Sequence, residues 1–190
     1  MATCLDIITL ALRQALVLSP GDDPEDGEAD DGLTAMQGMF DGWVSNGMFG
    51  RLNDVYKTVN YTALEGDRVR YPATATITIP TTYAENGAEG SERAPRDLSL
   101  IETYDTTNST RSVQLWDRNG WVELTGLTLT STAPLGDRDK FGLAAALADH
   151  YGEMFGASLP PNIARRAQQF RTSLSYKLGS TRDRATAVYF

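Results

Sequence analysis

The chain has 190 residues and a net charge of −8, with 41% hydrophobic and 22% charged side chains. These proportions are close to those of globular domains and exclude a wholly disordered, collagen-like or coiled-coil chain. The longest apolar stretch, Phe141 to Ala148, is far shorter than the roughly 20 residues that span a bilayer, so we expect no contact with membranes.

The sequence predicts two helices near the start of the chain. Thr3 and Asp6 have the spacing of a capping box, and apolar residues then recur at helical spacing to about Leu18. A second apolar stripe begins at about Asp31 and ends at Asn46-Gly47, where glycine can supply a left-handed cap. Joined by a loop, these helices are expected to pair as a hairpin.

Residues 20–32 separate the two predicted helices and are polar and strongly acidic. Their low apolar content predicts a solvated loop. The sequence from Asp22 does not match the EF-hand loop pattern, because its third position is Pro24 and its twelfth is Leu33, where a bidentate carboxylate belongs. Weak binding of divalent cations by this acidic loop stays open.

The middle of the chain has the alternation of β-strands. Apolar and polar residues alternate from Arg68 to Pro80, which predicts one long strand with one buried side, and Pro72 indicates an edge or a bulge. Asp117 to Gly120 predicts a hairpin turn, and Leu127 to Leu129 is a further candidate strand. Three shorter strands are predicted at Leu98 to Tyr104, Arg111 to Trp116 and Trp121 to Leu124.

Two more helices and an arm are predicted at the end of the chain. Asp137 or Asp139 can cap the third helix, and Pro160-Pro161 starts the fourth, which Gly179 ends. Beyond Gly179 the residues are polar or small as far as Ala187. The apolar tip that follows is expected either to dock on a partner or to fold back on its own subunit.

Together these patterns predict a mainly α chain with a β insertion, an α+β fold. We predict a four-helix bundle with a small antiparallel β region between its second and third helices and an extended C-terminal arm. The predicted ranges are a helical hairpin at 1–52, a β-rich insertion at 53–134, a closing helical pair at 135–179 and the arm at 180–190. The residues predicted to anchor the helical core are Leu33, Met36, Phe40, Trp43, Leu143, Leu147, Tyr151, Phe170 and Leu174.

Charge is distributed unevenly along the chain. Residues 1–50 have nine acidic side chains and one basic one, whereas residues 160–190 have six basic side chains and one acidic one. This asymmetry suits contact between unlike surfaces of neighbouring copies, or of the basic end with an acidic partner. The alternative is that the asymmetry reflects only variation in the composition of solvated helix faces and marks no contact.

The sequence offers little for catalysis. Cys4 is the only cysteine and His150 the only histidine, so an intrachain disulfide and a cysteine zinc site are impossible. The chain has no nucleophile elbow and no Walker A loop, and the spacing of its carboxylates singles out no catalytic pair. We predict that the protein is not an enzyme and needs no cofactor.

Two segments resemble a known family. The run from Asp31 to Gly47, with its methionine stripe, Trp43 and terminal glycine, resembles the second helix of tailed-phage head-to-tail adaptor proteins. This head-completion group includes the podovirus tail accessory factor and packaged-DNA stabilisation proteins. The segment from Gly142 through Tyr151 to Leu174 is similar to the closing helical pair of the same family. The resemblance covers about half of the chain, and the middle from Asn53 to Pro134 is more β-rich than the family pattern.

The resemblance implies a structural virion protein of a bacteriophage, made in the host cytoplasm and located in the neck between capsid and tail. Copies would form a dodecameric ring below the portal protein, extend the channel for transient passage of double-stranded DNA, and attach the tail or stopper. A tail-completion or stopper protein and a virion-associated cell-wall hydrolase are the alternatives. Residues predicted to dock on the portal or a neighbouring copy are Arg182, Arg184, Val188, Tyr189 and Phe190.

Overall fold

The structure is a computed structural model that describes residues 2–84, 92–155 and 159–180, without the side chains of residues 153–155 and 176–180. Its helices are α1 Cys4–Gln14, α2 Asp26–Ser45, α3 Lys140–Phe155 and α4 Pro161–Ser180. Its strands are β1 Asn53–Tyr56, β2 Tyr61–Thr62, β3 Asp67–Tyr71, β4 Ile77–Thr78, β5 Tyr83–Ala84, β6 Glu92–Arg93, β7 Leu100–Asp105, β8 Thr110–Asp117 and β9 Gly120–Glu123. None of the helices in these described parts is long and apolar enough to span a membrane.

Side-chain caps fix the starts of the first two helices. The Thr3 hydroxyl accepts from the Asp6 N–H at 3.2 Å and the Asp6 carboxylate from the Thr3 N–H at 2.8 Å, so the predicted capping box of α1 is confirmed. α2 starts at Asp26 rather than at about Asp31. The Glu28 carboxylate accepts from the Glu25 N–H at 3.0 Å, and acidic residues in a first turn complement the helix dipole. Part of the predicted acidic loop is therefore helical.

The closing helices also begin where the sequence predicts. Of the two candidate caps of α3, Asp139 is used, because its carboxylate accepts from the Gly142 N–H at 2.8 Å. α4 begins at Pro161, where the missing N–H of proline would have no helical partner. The described part of α4 runs to Ser180, one residue beyond the predicted end at Gly179.

Five strands form a mixed sheet in the order β1-β3-β7-β8-β9. β1, β3 and β7 are parallel neighbours, and β7, β8 and β9 are antiparallel neighbours. Trp116 pairs with Trp121 across the turn from Asp117 to Gly120, so the predicted hairpin is confirmed. The β region is therefore not the small antiparallel unit that the sequence predicts, since half of its strand pairings are parallel.

Two strand predictions are wrong. The long strand from Arg68 to Pro80 is divided, because Pro72 lacks an N–H for the ladder and its carbonyl accepts from the Ala75 N–H at 2.9 Å in a turn. β4, beyond that turn, pairs with β2 in a separate two-stranded sheet. Leu127 to Leu129 forms no strand, and the Leu129 carbonyl instead accepts from the Leu5 N–H at 3.0 Å in the first turn of α1.

The four helices do not close on one another as a bundle, so that part of the predicted fold class is wrong. Buried apolar residues of all four helices share one cluster with sheet residues Leu100, Val113 and Leu115. An amphipathic helix must bury its apolar face, and here the sheet provides a second layer for it. The fold is α+β, with a helical layer on one face of a five-stranded sheet. The four predicted sequence ranges stay a prediction.

Candidate interaction surfaces

An aromatic group joins α2 to α4 in the core. The Trp43 ring centroid lies 5.6 Å from that of Phe40, 6.0 Å from that of Phe49 and 6.3 Å from that of Phe170. Among the predicted core anchors, Leu33 is half-buried and packs against the apolar cluster that the four helices share with the sheet. The anchors that the structure buries are Met36, Phe40, Trp43, Leu143, Leu147, Tyr151, Phe170 and Leu174.

α1, α2 and α3 meet closely at Gly32. A Cβ added at this glycine would lie 2.7 Å from the Tyr151 hydroxyl and in still closer conflict with the Ile8 side chain. Only glycine lets the three helices approach to this distance. The close contact places the middle of α1, the second turn of α2 and the last third of α3 side by side.

An acidic surface surrounds the start of α2. We call exposed Asp22, Asp23, Asp26, Asp30 and Asp31 the acidic end. Arg13 donates to the Asp22 carbonyl at 2.7 Å and lies 3.8 Å from the Asp23 carboxylate. In the parts of the chain described, no group of three or more side chains is placed to hold a metal ion. Among the described residues, Arg13 is the partner of an ion pair with the acidic end, whose negative charge is otherwise uncompensated there.

A basic surface lies along α4. We call Arg165, Arg166 and Arg171 the basic face. Arg165 and Arg166 are exposed, whereas Arg171 is bound to Asp149 of α3 at 2.7 Å. The Arg166 guanidinium lies 5.4 Å from the ring centroid of Phe141, which is 52% exposed. The basic face thus combines accessible cations with an accessible aromatic ring.

A groove opens between α1, α2 and α3. It has a volume of about 270 Å³ and is lined by Leu12, Ala15, Val17, Glu28, Asp31, Tyr151 and Gly152. Burial, followed by the negative charges of Asp31 and Glu28, raises the pKa of the Tyr151 hydroxyl to about 12. The groove therefore has an apolar floor and a rim with two carboxylates, one of which, Asp31, belongs to the acidic end.

The segment after α1 borders the groove through Ala15 and Val17, and we call this segment, with Leu16 between them, the mouth of the groove. Leu16 follows α1 with a φ of 61° and is 77% exposed, and the neighbouring Val17 is 58% exposed. Leu98 and Leu135 also have positive φ, but both are fully buried. Leu16 therefore has the left-handed conformation, which costs about 1–2 kcal/mol for a residue with a Cβ, without any compensating burial.

Buried charges elsewhere have structural partners. Glu102 of β7 lies between two arginines, accepting from Arg68 Nε at 2.9 Å and Arg111 Nε at 3.0 Å. Arg111 also contacts Asp41 of α2 at 2.9 Å, which connects the sheet to the helical layer. Each ionised group is paired, as burial of charge requires.

Arg138 occupies a similar position before α3. Its side chain is 5% exposed and forms ion pairs with Asp97 and Asp117. Asp117 also accepts from the Leu135 N–H at 3.2 Å. This arrangement connects the chain ahead of β7, the end of β8 and the turn before α3, which favours a structural role for these carboxylates.

The predicted docking residues Arg182, Arg184, Val188, Tyr189 and Phe190 lie outside the described residues. Sequence reasoning missed the groove and the exposed pair at its mouth. No protein-family model matches the chain, and no curated protein matches it in sequence. The interaction surfaces and the resemblance of two helical segments are therefore the grounds for a functional proposal.

Proposed function

We propose that the protein is a structural virion protein, a head-to-tail adaptor that forms a ring below the portal protein and attaches the tail or stopper. The separation of charge between the acidic end and the basic face is the observation that supports this most. In a ring, each copy contacts its two neighbours through two different surfaces. Unlike charge on those surfaces favours the head-to-tail contact and disfavours contact between like surfaces.

The helices that resemble the adaptor family give further support. The similar segments coincide with α2, α3 and α4, and their apolar stripes face one core in which Trp43 contacts Phe170. In this proposal the five-stranded sheet is an addition that enlarges the subunit beside those helices. The four helices also favour the adaptor over a stopper protein, for which we expect a β-barrel with few helices.

The net charge suits a component of a DNA channel. At −8, the chain as a whole repels the phosphate backbone and so would not hold passing double-stranded DNA.

The alternative function, a cell-wall hydrolase, needs a pair of carboxylates in a cleft. Purified chain that clears a peptidoglycan suspension would favour that alternative.

We expect the isolated protein to be a monomer or a weak oligomer that forms its ring only on the portal. Among the described residues, no helix or strand has more than one exposed large apolar side chain, from Leu5 through Tyr56 to Phe141, unlike the large apolar interface of an obligate oligomer. Light scattering on the purified chain tests this, and a stable ring without portal would contradict it.

Co-sedimentation with portal-bearing heads that lack this protein tests the proposed function. We expect the unmodified chain to bind the heads and to restore tail attachment. Reversing the basic face with Arg165→Glu and Arg166→Glu should abolish binding, whereas reversing two exposed arginines outside the four helices, Arg51→Glu and Arg70→Glu, should leave it unchanged.

A charge-swap variant strengthens this experiment. A chain with the basic face reversed and with Asp26→Arg and Asp30→Arg again has unlike surfaces, so contacts between copies should return. Equal binding by all variants would exclude the charged surfaces from assembly. An unmodified chain that does not bind the heads would contradict the proposed function itself.

A further inference from the structure

We propose that the groove between α1, α2 and α3 receives the C-terminal arm, residues 181–190, of a neighbouring copy. This inference rests on the proposed ring, and it identifies the receiving surface for the arm. The apolar floor of the groove, its acidic rim and its exposed mouth each match a feature of the arm sequence.

The floor of the groove fits the apolar tip of the arm. Leu12, Ala15 and Val17 line it together with the Tyr151 ring, and its volume is about 270 Å³. Pockets for small-molecule ligands have volumes of roughly 300–1,000 Å³, so this groove suits a few side chains of a docking segment better than a whole ligand. The arm ends in the consecutive apolar residues Val188, Tyr189 and Phe190, which need cover from water.

The rim of the groove fits the charge of the arm. Glu28 and Asp31 lie three residues apart on α2 and both line the groove. The arm has Arg182 and Arg184, two residues apart, ahead of its apolar tip. Arginine and carboxylate form short bidentate contacts, which would fix the register of the arm as well as its affinity.

The mouth of the groove has an unfavourable backbone conformation, and in the isolated subunit no burial of side chains offsets its energetic cost. Leu16 is exposed in a left-handed conformation, and Val17 beside it is also exposed. Strained backbone persists where surrounding structure or function requires it, and binding sites are a common location. An arm in the groove would cover Val17, which lines it, and would lie beside Leu16.

The ring contact favours the arm of a neighbour as the occupant. The arm continues the chain beyond the basic face of α4, and the groove shares Asp31 with the acidic end. The proposed ring brings the basic face of one copy to the acidic end of the next. The same contact would bring the arm of the first copy to the groove of the second.

Disulfide trapping in the full chain tests this placement. Leu16→Cys and Tyr189→Cys are introduced together, and the chain is bound to portal-bearing heads, oxidised and separated on a denaturing gel without reductant. The native Cys4 is fully buried, and burial raises the pKa of its thiol to about 11, so it stays protonated and unreactive. We expect a ladder of covalent oligomers, and none for a control pair of Thr62→Cys with Tyr189→Cys, since Thr62 is exposed on β2.

The outcomes separate this inference from the proposed function. Bound chain that shows no ladder, or only an internal disulfide within a monomer, overturns the inference and leaves the adaptor function intact. Unmodified chain that fails to bind heads overturns both.

A rim variant gives a second measurement. Asp31→Lys in the cysteine pair should lower the ladder yield at least tenfold, whereas Glu92→Lys, an equal charge reversal at an exposed position on β6 outside both the groove and the acidic end, should leave it unchanged. Equal yields from the two variants would overturn the proposed match between rim and arm.

Discussion

The two faces of the five-stranded sheet are stabilised in different ways. On the helix-facing side, Leu100, Val113 and Leu115 join a cluster that extends through all four helices. On the opposite side, Val69 and Ile101 form only a small cluster with Ala63, edged by Tyr61, Ile77, Ile79 and Trp121. β7 thus contributes Leu100 to a large apolar core and Ile101 to a small one.

Hydrogen bonds accompany the small cluster. The Asp67 carboxylate accepts from the Tyr61 hydroxyl at 2.9 Å and from the Leu64 N–H at 2.8 Å. The Trp121 indole donates to the Pro80 carbonyl at 2.8 Å. Because hydrogen bonds near water add less net stability than extensive apolar burial, the helix-facing core should dominate the free energy of unfolding.

The largest effect is expected at the centre of the helix-facing core. Trp43→Ala should lower the free energy of unfolding by about 3–5 kcal/mol, because it removes a buried ring that contacts three other aromatic side chains. Chemical denaturation measures this. An unchanged stability would place Trp43 outside the core.

A matched pair of truncations compares the two clusters directly. Ile7 of α1 and Ile101 of β7 are both fully buried, one in the large cluster and one in the small. Ile7→Ala should cost about 4 kcal/mol and Ile101→Ala about 2 kcal/mol, because the small cluster can collapse further around a cavity. Equal losses in denaturant titrations would refute the proposed difference between the faces.

Glu102 supports the polar contact between sheet and helices, because it binds Arg111, which in turn contacts Asp41 of α2. Glu102→Gln should cost about 1–3 kcal/mol, since it weakens the contacts with Arg68 and Arg111 and leaves both cations incompletely paired. Glu92→Gln, at an exposed position on β6, serves as the control and should change stability little. Similar thermal denaturation of the two variants would show that the ion pairs around Glu102 contribute little.

The smallest expected effect is at the mouth of the groove. Leu16→Gly should stabilise the protein by about 0.5–1 kcal/mol, because glycine adopts positive φ without strain. Leu16→Val should destabilise it, since a β-branched side chain fits this conformation poorly. Thermal melting measures both, and a loss of stability with glycine would mean that the Leu16 side chain supports the fold.

Local features of the fold could be predicted from the sequence. The Thr3 and Asp6 capping box, the Asp139 cap and the β8–β9 hairpin each depend on residues a few positions apart. The overall arrangement could not, because an amphipathic stripe indicates that a helix face is buried but not what covers it. Parallel pairing of β1, β3 and β7 joins distant segments for which the sequence has no local signal.

The interaction surfaces could likewise be predicted only in part from the sequence. Separation of charge between the start and the end of the chain is visible in the sequence, and the structure locates it on α2 and α4. The groove is not visible, since its walls come from three helices that meet only in the folded chain. The conformation of Leu16 is also hidden, because no glycine marks it.

The location of the protein in assembled particles tests the central proposal most directly. Cryo-electron microscopy of tailed particles and of heads lacking this chain would show where its density lies. We predict a dodecameric ring of this fold directly below the portal, with the basic face of each copy against the acidic end of the next. Density at the tail tip or on the capsid surface, or a ring in which like surfaces meet, would contradict the proposal.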